Sequence, residues 1–440
     1  MKSRMPKVLH RAGGKALVEH AIDTAKGVAP PDRIFVVVGY QADAVRAVAE
    51  AAGVGSIHQK EQLGTGHAVL CGEDQLAGLG GLLIVLNGDC PMIQPETVAG
   101  LVDLYRKTGA GAAMITTDLD DATGYGRIIR QENGDVQAIL EHKAATPEQL
   151  LVREINAGFY CFEAAAFWKH VHELRTDNPA GEYYLTDMIA ILLKAGHRVT
   201  ALKVADSSEL LGINNRVELA AVDKIMRDRK VRQLMLDGVT IERPETVTID
   251  QDVRIGMDSV IGPFSQITGN TVIGENCRVG ASTIIDNSVL GDHVEIFPFS
   301  MISASQVEAR AHVGPFARMR MGAHLEEGAH IGNFVELKKT QLGAGSKSMH
   351  FAYLGDSTIG SKVNIGAGTI TCNYDGRNKH QTHIGDGVFV GSNSTLVAPL
   401  EIGNGAYIAA GSVITLPVPA KTLAIGRARQ VIKEGWTPKQ

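Results

Sequence analysis

From about Ile249 onward the chain repeats itself every six residues. Ile255, Ile261, Ile267, Ile273, Val279 and Ile285 are all aliphatic, and glycine follows four of these six. The series slips, then resumes at Val313, Met319, Leu325, Ile331 and Leu337, and runs cleanly again through Ile384, Val390, Leu396, Ile402, Ile408 and Ile414. A six-residue period sustained this long specifies a hexapeptide β-helix, in which each unit supplies one short strand and one turn. The aliphatic side chain points inward and stacks on its equivalent one coil away. A β-sandwich is excluded, because its turns recur every eight to twelve residues or so. Glycine, 49 of 440 residues, and other small residues are expected to permit the sharp corners. The polar stretch Thr371-Cys372-Asn373-Tyr374-Asp375-Gly376-Arg377-Asn378-Lys379-His380 breaks the period. It must loop out of the prism, and loops carried on rigid scaffolds often hold function.

The first half reads differently. Arg33–Gly39 and Leu82–Asp89 are short β-branched or aliphatic runs ending in polar or glycine residues, and Ala42–Ala52 between them reads as a helix. Short apolar strands separated by helices predict a mainly parallel, Rossmann-like α/β sheet covered on both faces. Its ligand site is expected beyond the carboxyl ends of the strands. Near Asn214 the pattern changes. Leu219, Val222 and Met226 follow helical spacing in a charge-rich stretch up to about Leu236, which predicts an exposed connecting helix. The expected organisation is an α/β domain over 1–216, a linker over 217–245 and a β-helix over 246–440.

Length supports two domains. Lys+Arg at 43 against Asp+Glu at 48 gives a net charge of -5, which favours neither a nucleic-acid nor a membrane partner. Five scattered cysteines without a CxxC pair point to a reducing compartment and no structural zinc. No apolar run approaches a membrane span, and the N-terminus lacks the apolar stretch of a secretory signal. Cytoplasm is the expected location.

A set of short strings then resembles one family along essentially the whole chain. They are Pro6-Lys7-Val8-Leu9-His10, Glu61-Gln62-Leu63-Gly64-Thr65-Gly66-His67, Gly124-Tyr125-Gly126-Arg127-Ile128, Glu154-Ile155-Asn156, Gly181-Glu182-Tyr183-Tyr184-Leu185-Thr186-Asp187, Gly332-Asn333-Phe334-Val335-Glu336 and Asn364-Ile365-Gly366-Ala367-Gly368-Thr369. Each is modest alone; their order and joint presence are specific. They resemble the bacterial bifunctional UDP-N-acetylglucosamine pyrophosphorylase/glucosamine-1-phosphate acetyltransferases. The resemblance implies a nucleotidyltransferase domain followed by a left-handed parallel β-helix that assembles as a homotrimer. Left-handedness is unusual for parallel crossovers and is implied by the resemblance alone. That family opens with a strand and a glycine-rich loop, roughly Leu-Ala-Ala-Gly-x-Gly-Thr-Arg, and Met1 here aligns just after that loop. Backbone N–H groups of such loops cradle phosphates, so UTP binding by the chain as written is expected to suffer. A misplaced start codon and genuine loss of the first activity both remain open.

For uridylyl transfer, a sugar phosphate oxygen attacks the α-phosphorus of UTP, and a divalent ion with cationic side chains neutralises the developing charge. The resemblance makes Asp89 and Asn214 the ligands of Mg²⁺, a cation that prefers hard oxygen donors; alone, Asp89 could be a turn residue. Lys7, otherwise a surface lysine, is expected over the phosphates. Gln59, Gly64 and Thr65 match uracil-reading positions, since an amide offers both donor and acceptor and glycine permits close approach; the bland reading is a glycine turn. Gly126, Glu141, Asn156 and Asn214 match the sugar-binding set, each alone a cap or turn residue.

Acetyl transfer from acetyl-CoA needs an unprotonated amine, and a neutral histidine is a suitable base. His350 lies where the family keeps its base. Arg320, Lys338, Tyr353 and Asn364 match sugar-phosphate contacts. Two cations stacked on a prism wall should repel unless an anion lies between them or Glu336 balances them. Asn373, Tyr374, Ser392, Ala410 and Arg427 match acetyl-CoA contacts, with Lys379 a weaker candidate. Met321 departs from the family's proline and is expected to alter the corner without removing Arg320. The competing readings are an acetyltransferase only, a scaffold subunit and a transferase for another nucleotide. The scaffold reading requires decay of Lys7, Asp89, Asn214, His350 and Tyr374, all of which are present.

Overall fold

The structure, a computed structural model, describes residues 1–142, 145–178 and 180–437. The chain forms two compact units, Met1–Met226 and Arg227–Gln440. No helix among the described residues is long and apolar enough to cross a membrane.

The first unit contains strands β1 (Phe35–Val38), β2 (Gly55–His58), β3 (Leu82–Val85), β4 (Ala112–Asp118), β5 (Arg127–Arg130), β6 (Val136–Leu140), β7 (Glu154–Glu163) and β8 (Val199–Lys203). The helix Ala42–Ala51 joins β1 to β2, which pair in parallel. Strands β8 and β4 also pair in parallel. Strand β7 runs antiparallel to both β3 and β4, so those two point the same way on either edge of it. Residues 112–117 of β4 are buried throughout, as befits a strand covered on both faces. The preceding helix, Pro95–Thr108, starts with proline in its first turn and stops at Gly109 in the left-handed conformation. It buries Val98, Leu101 and Val102, the i, i+3, i+4 stripe of an amphipathic helix.

Leu82–Val85 is an uninterrupted aliphatic run, yet all four residues are only half-buried. The cause is a cavity of about 410 Å³ against β1 and β3, lined by aliphatic groups such as Ile22, Val36, Leu83 and Val85. None of the polar candidate residues lines it.

The second unit is a parallel β-helix. Ile249 stands in register with Ile267, and Ile267 with Ile285, so a coil spans eighteen residues, shortened to seventeen in places. The slippage in the six-residue period is this shortening. Ile249, Ile261, Ile267, Ile285, Ile302, Val313, Met319, Leu325 and Ile331 are essentially inaccessible to solvent, and each such side chain contributes about 2 kcal/mol of transfer free energy. Buried hydroxyls satisfy the corner carbonyls: Ser259 donates to the Gly274 carbonyl (2.9 Å) and Ser346 to that of Gly360 (2.7 Å). The helix Arg216–Leu236 buries Val222 and Met226 in the first unit and Val231 and Leu234 in the second, with most other positions exposed.

The glycines of the repeat have a different reason from the one expected. Many left-handed corners are held by larger residues, among them Asn276, His293, Phe299, Phe316, Phe334 and Phe351. The repeat glycines instead sit where coils touch. A Cβ on Gly262 would lie 2.7 Å from the Ala281 backbone nitrogen, and one on Gly274 would lie 2.7 Å from the Gly291 carbonyl carbon. Close stacking of successive coils, not backbone sign, demands glycine there.

Candidate active sites

In the first unit Pro6 leads into a single 3-10 turn, Lys7–Leu9. Lys7 Nζ donates to Asp89 Oδ2 at 2.5 Å and to Asn214 Oδ1 at 3.0 Å. Asp89 lies just past the carboxyl end of β3, where an α/β sheet keeps its ligand site. Asn214 is fixed by its own N–H, which donates to Glu218 Oε2 at 2.6 Å. Two oxygens distant in sequence thus converge on one cation. Such hard donors fit Mg²⁺, which completes its shell with waters and phosphate oxygens. The neighbouring Cys90 offers no competing thiolate, because burial and then the Asp89 carboxylate push its thiol pKa up.

Gln59 follows β2 and is buried. Its amide Nε2 is engaged by the Gly64 carbonyl (3.1 Å) and by His67 Nδ1 (3.2 Å). Gly64 has φ +106°, and a Cβ there would lie 2.6 Å from the Tyr183 carbonyl. Thr65 Oγ1 accepts from the Leu185 N–H at 3.0 Å, and the Tyr183 N–H donates to the Leu63 carbonyl at 2.8 Å. The Gly64–Thr65 turn is therefore sewn to the Tyr183–Leu185 segment, which explains why both strings occur together.

The candidate sugar residues also gather. A Cβ on Gly126 would lie 3.6 Å from Glu141 Oε1, and the Asn156 N–H donates to the Gly126 carbonyl at 2.9 Å. Asn156 is held by Tyr160, whose hydroxyl accepts from Nδ2 at 2.7 Å. Arg127 ties down the adjoining loop by donating to the carbonyls of Ala122 and Tyr125, both at 2.6 Å.

In the β-helix, His350 ends the strand Lys347–His350 and is exposed. Its Nδ1 donates to Asn333 Oδ1 at 2.5 Å. Asn364 lies on the strand paired with that of His350. On the adjoining face Arg320 and Lys338 are in direct register. Their repulsion is resolved pairwise: Arg320 Nε donates to Glu336 Oε1 at 2.7 Å, and Lys338 Nζ to Asp356 Oδ2 at 2.8 Å. Asp356 raises the pKa of Lys338, whereas hydrogen bonding to Lys338 lowers that of Lys379. Tyr353 and Asn373 complete this knot, since a Cβ on Gly355 would meet the Tyr353 hydroxyl at 2.5 Å and Asn373 Nδ2 at 2.8 Å. Met321 has φ +58°, which a proline ring fixed near -65° cannot adopt, and Arg320 keeps its station beside it.

The extruded loop is compact. Asp375 Oδ1 accepts from the N–H groups of Arg377 (2.8 Å) and Asn378 (2.7 Å), and Oδ2 from His380 Nε2 (2.7 Å). The Asn378 amide first, then His380, holds the Asp375 carboxyl below the usual range. Tyr374 stands exposed near the root, bridged across the loop to Lys379. Ser392, Ala410 and Arg427 form a separate column along one corner. The Gly411 N–H donates to the Ser392 carbonyl at 2.8 Å, and a Cβ on Gly411 would lie 3.8 Å from Arg427 Cδ. No hydrogen bond among the described residues joins this column to His350.

Sequence reasoning missed Asn333 and Asp356 as site residues. A signal existed: Asn333 precedes His350 by seventeen residues and Asp356 follows Lys338 by eighteen, one coil in each case.

The profile of the MobA-like NTP transferase domain matches residues 1–234, and that of the bacterial transferase hexapeptide (six repeats) matches 252–287 and 381–415. The bifunctional protein GlmU of Solibacter usitatus is 58% identical over 440 residues, covering all of this chain and 94% of that protein. Its counterpart in Koribacter versatilis is 50% identical over 443 residues, with the same coverage. The counterpart in Pelobacter propionicus is 44% identical over 437 residues, covering 99% of this chain and 95% of that protein.

The chain belongs to the bifunctional GlmU family. GlmU membership makes it an enzyme with two transferase activities, nucleotidyl transfer in the first unit and acyl transfer in the hexapeptide unit. The two clusters described above fall one in each GlmU unit.

Proposed function

We propose that this chain acetylates glucosamine-1-phosphate and then uridylylates the product, giving UDP-N-acetylglucosamine and pyrophosphate. In the β-helix, Nδ1–H of His350 is committed to Asn333, which leaves the Nε2 lone pair to take a proton from the attacking amine. The amine adds to the thioester carbonyl and the CoA thiolate departs. Arg320, Lys338, Tyr353 and Asn364 hold the sugar phosphate. Asn373, Tyr374, Ser392, Ala410 and Arg427 hold acetyl-CoA, with Lys379 beside them. In the first unit, a phosphate oxygen of N-acetylglucosamine-1-phosphate attacks the α-phosphorus of UTP. Lys7 lies against the phosphates, Gln59, Gly64 and Thr65 read uracil, and Gly126, Glu141, Asn156 and Asn214 hold the sugar. Asp89 and Asn214 would hold Mg²⁺, which neutralises charge on the transferred phosphoryl group.

The protein is cytoplasmic and works on small-molecule substrates as a homotrimer built through the β-helix. The support for self-association is an exposed aromatic ladder: Phe299, Phe316, Phe334 and Phe351 stack in sequence with ring centroids 5.0, 5.3 and 5.1 Å apart. Four half-exposed phenylalanines in contact form an apolar stripe of the kind that partners cover, and Phe351 adjoins His350.

The observation that carries the reading is the joint convergence of Lys7, Asp89 and Asn214 in one unit and of His350 with Asn333 in the other, within a member of the GlmU family. The test incubates the purified chain with glucosamine-1-phosphate, acetyl-CoA, UTP and Mg²⁺, following free CoA and pyrophosphate. Release of both is expected. CoA without pyrophosphate would reduce the function to acetyl transfer, and release of neither would overturn the proposal.

A further inference from the structure

Asp356 is not among the groups assigned to either substrate, yet it stands between them. Its single atom Oδ2 accepts from Lys338 Nζ at 2.8 Å and from Asn373 Nδ2. The three residues come from three successive coils. Lys338 lies on Glu336–Leu342, Asp356 on Tyr353–Ile359, and Asn373 just after Ile370–Cys372 at the root of the extruded loop. The site is built rather than incidental: the Lys338 side chain is 4% exposed and that of Asp356 is 12% exposed. Asp356 holds a left-handed backbone, φ +48°, a conformation that aspartate and asparagine tolerate better than most residues. Asn373 passes the constraint onward, since its carbonyl accepts from the His380 N–H at 2.8 Å and so closes the neck of the loop that carries Tyr374 and Lys379.

We infer that Asp356 is a positioning residue that couples the sugar-phosphate subsite at Lys338 to the acetyl-CoA loop at Asn373, so that filling either subsite strengthens binding at the other. The inference rests on the acetyltransferase reading of the β-helix. Its physical basis is the sharing of one acceptor. Lys338, Lys379 and Asp356 together carry one net positive charge, and an anion beside Lys338 offsets it. With that anion bound the ammonium stays charged and held, so Asp356 keeps a fixed place from which to hold Asn373. Ordering the root of the loop in this way removes part of the ordering that CoA would otherwise have to impose. Linkage makes the effect reciprocal.

The test is calorimetric, on the full chain. Glucosamine-1-phosphate is titrated with and without saturating CoA, which lacks an acetyl group and prevents turnover. In the unaltered chain CoA is expected to tighten the sugar phosphate by about fivefold or more. In Asp356→Asn, which keeps the shape and an acceptor but loses the charge, each ligand still binds and that ratio falls to about one. Asp356→Ser, which also removes the charge and lies outside both sets of substrate contacts, should do the same and serves where Asp356→Asn does not fold. An unchanged ratio in the folded variants, or a ratio of one in the unaltered chain, overturns the coupling while leaving the acetyltransferase reading in place. An unaltered chain that binds neither ligand overturns that reading itself.

Discussion

His350 Nδ1 donates to Asn333 Oδ1 across one coil of the β-helix at 2.5 Å. An amide oxygen can only accept, so this bond selects the tautomer whose Nε2 is free to act as a base. Asn333→Ala removes the selection without touching the base. A neutral hydrogen bond is worth about 1 kcal/mol, so kcat for acetyl transfer should fall roughly fivefold with little change in KM. His350→Ala should fall by a hundredfold or more, the usual contribution of a general base. Steady-state CoA release separates the two, and an Asn333→Ala enzyme with unaltered kcat would show that the bond is structural only.

Arg320 and Lys338 occupy equivalent places on neighbouring coils, each with its own carboxylate. On the proposed assignment they bind the sugar phosphate equally in ground and transition states. Arg320→Ala should therefore raise KM for glucosamine-1-phosphate about tenfold, matching the loss of a charge-assisted hydrogen bond, and leave kcat within a factor of two or so. A selective loss of kcat instead would move Arg320 from holding the substrate to stabilising the transition state.

Asp89 and Asn214 present their oxygens to the same ammonium, that of Lys7. If these oxygens hold the divalent ion, Asp89→Asn should cut pyrophosphate release on the order of a hundredfold, while CoA release continues at its normal rate. Chelation with EDTA should reproduce that split in the unaltered enzyme. Parallel loss of both activities would contradict separate sites in the two units.

The β-helix was legible because its six-residue period is a direct image of the coil: the inward residue returns at each face whatever the detail of the turns. The reason for its glycines was not legible. A glycine in sequence looks the same whether it serves a positive φ or a close approach, and only the 2.7 Å that would separate a Cβ on Gly262 from the Ala281 nitrogen decides. In the first unit the strand end carrying Asp89 was readable from an apolar run that stops at polar residues, whereas Gln59 follows the short strand Gly55–His58, which no apolar run marks, and came only through the family resemblance. The anchors of those residues were not. Glu218 holds Asn214, and Tyr183 closes on the Gly64 turn, through contacts that depend on how distant segments meet. Asp356 escaped because no local motif marks it; its meaning comes from lying one coil beyond Lys338 and one before Asn373.

The close approach makes its own prediction. Gly262→Ala should destabilise the β-helix by about 1–3 kcal/mol, the usual cost of overpacking, because the new Cβ meets backbone that cannot turn aside. Gly322→Ala has open space around it and should cost less, through its φ of +80° alone. Chemical denaturation of both variants gives the comparison, and equal losses would refute the stacking account of the repeat.

The last prediction concerns acid stability. Glu154 is buried on β7, bonded by Arg130 through Nη2 (2.6 Å) and Nε, and by the Thr116 hydroxyl (2.6 Å). Burial alone would raise its pKa, but the Arg130 and Thr116 hydrogen bonds outweigh it, and the carboxyl lies below its ordinary value of 4.5. A carboxylate with a depressed pKa in the folded state adds stability that is fully present above the unfolded value and is lost as pH falls. Glu154→Gln lacks the charge at every pH, so it should melt below the unaltered protein at pH 7, and the difference should shrink as pH drops below about 4.5. Thermal melts of the two proteins across pH 3 to 7 or so measure this directly. A gap that stays constant through that range would mean that Glu154 contributes through shape and hydrogen bonding rather than through its charge.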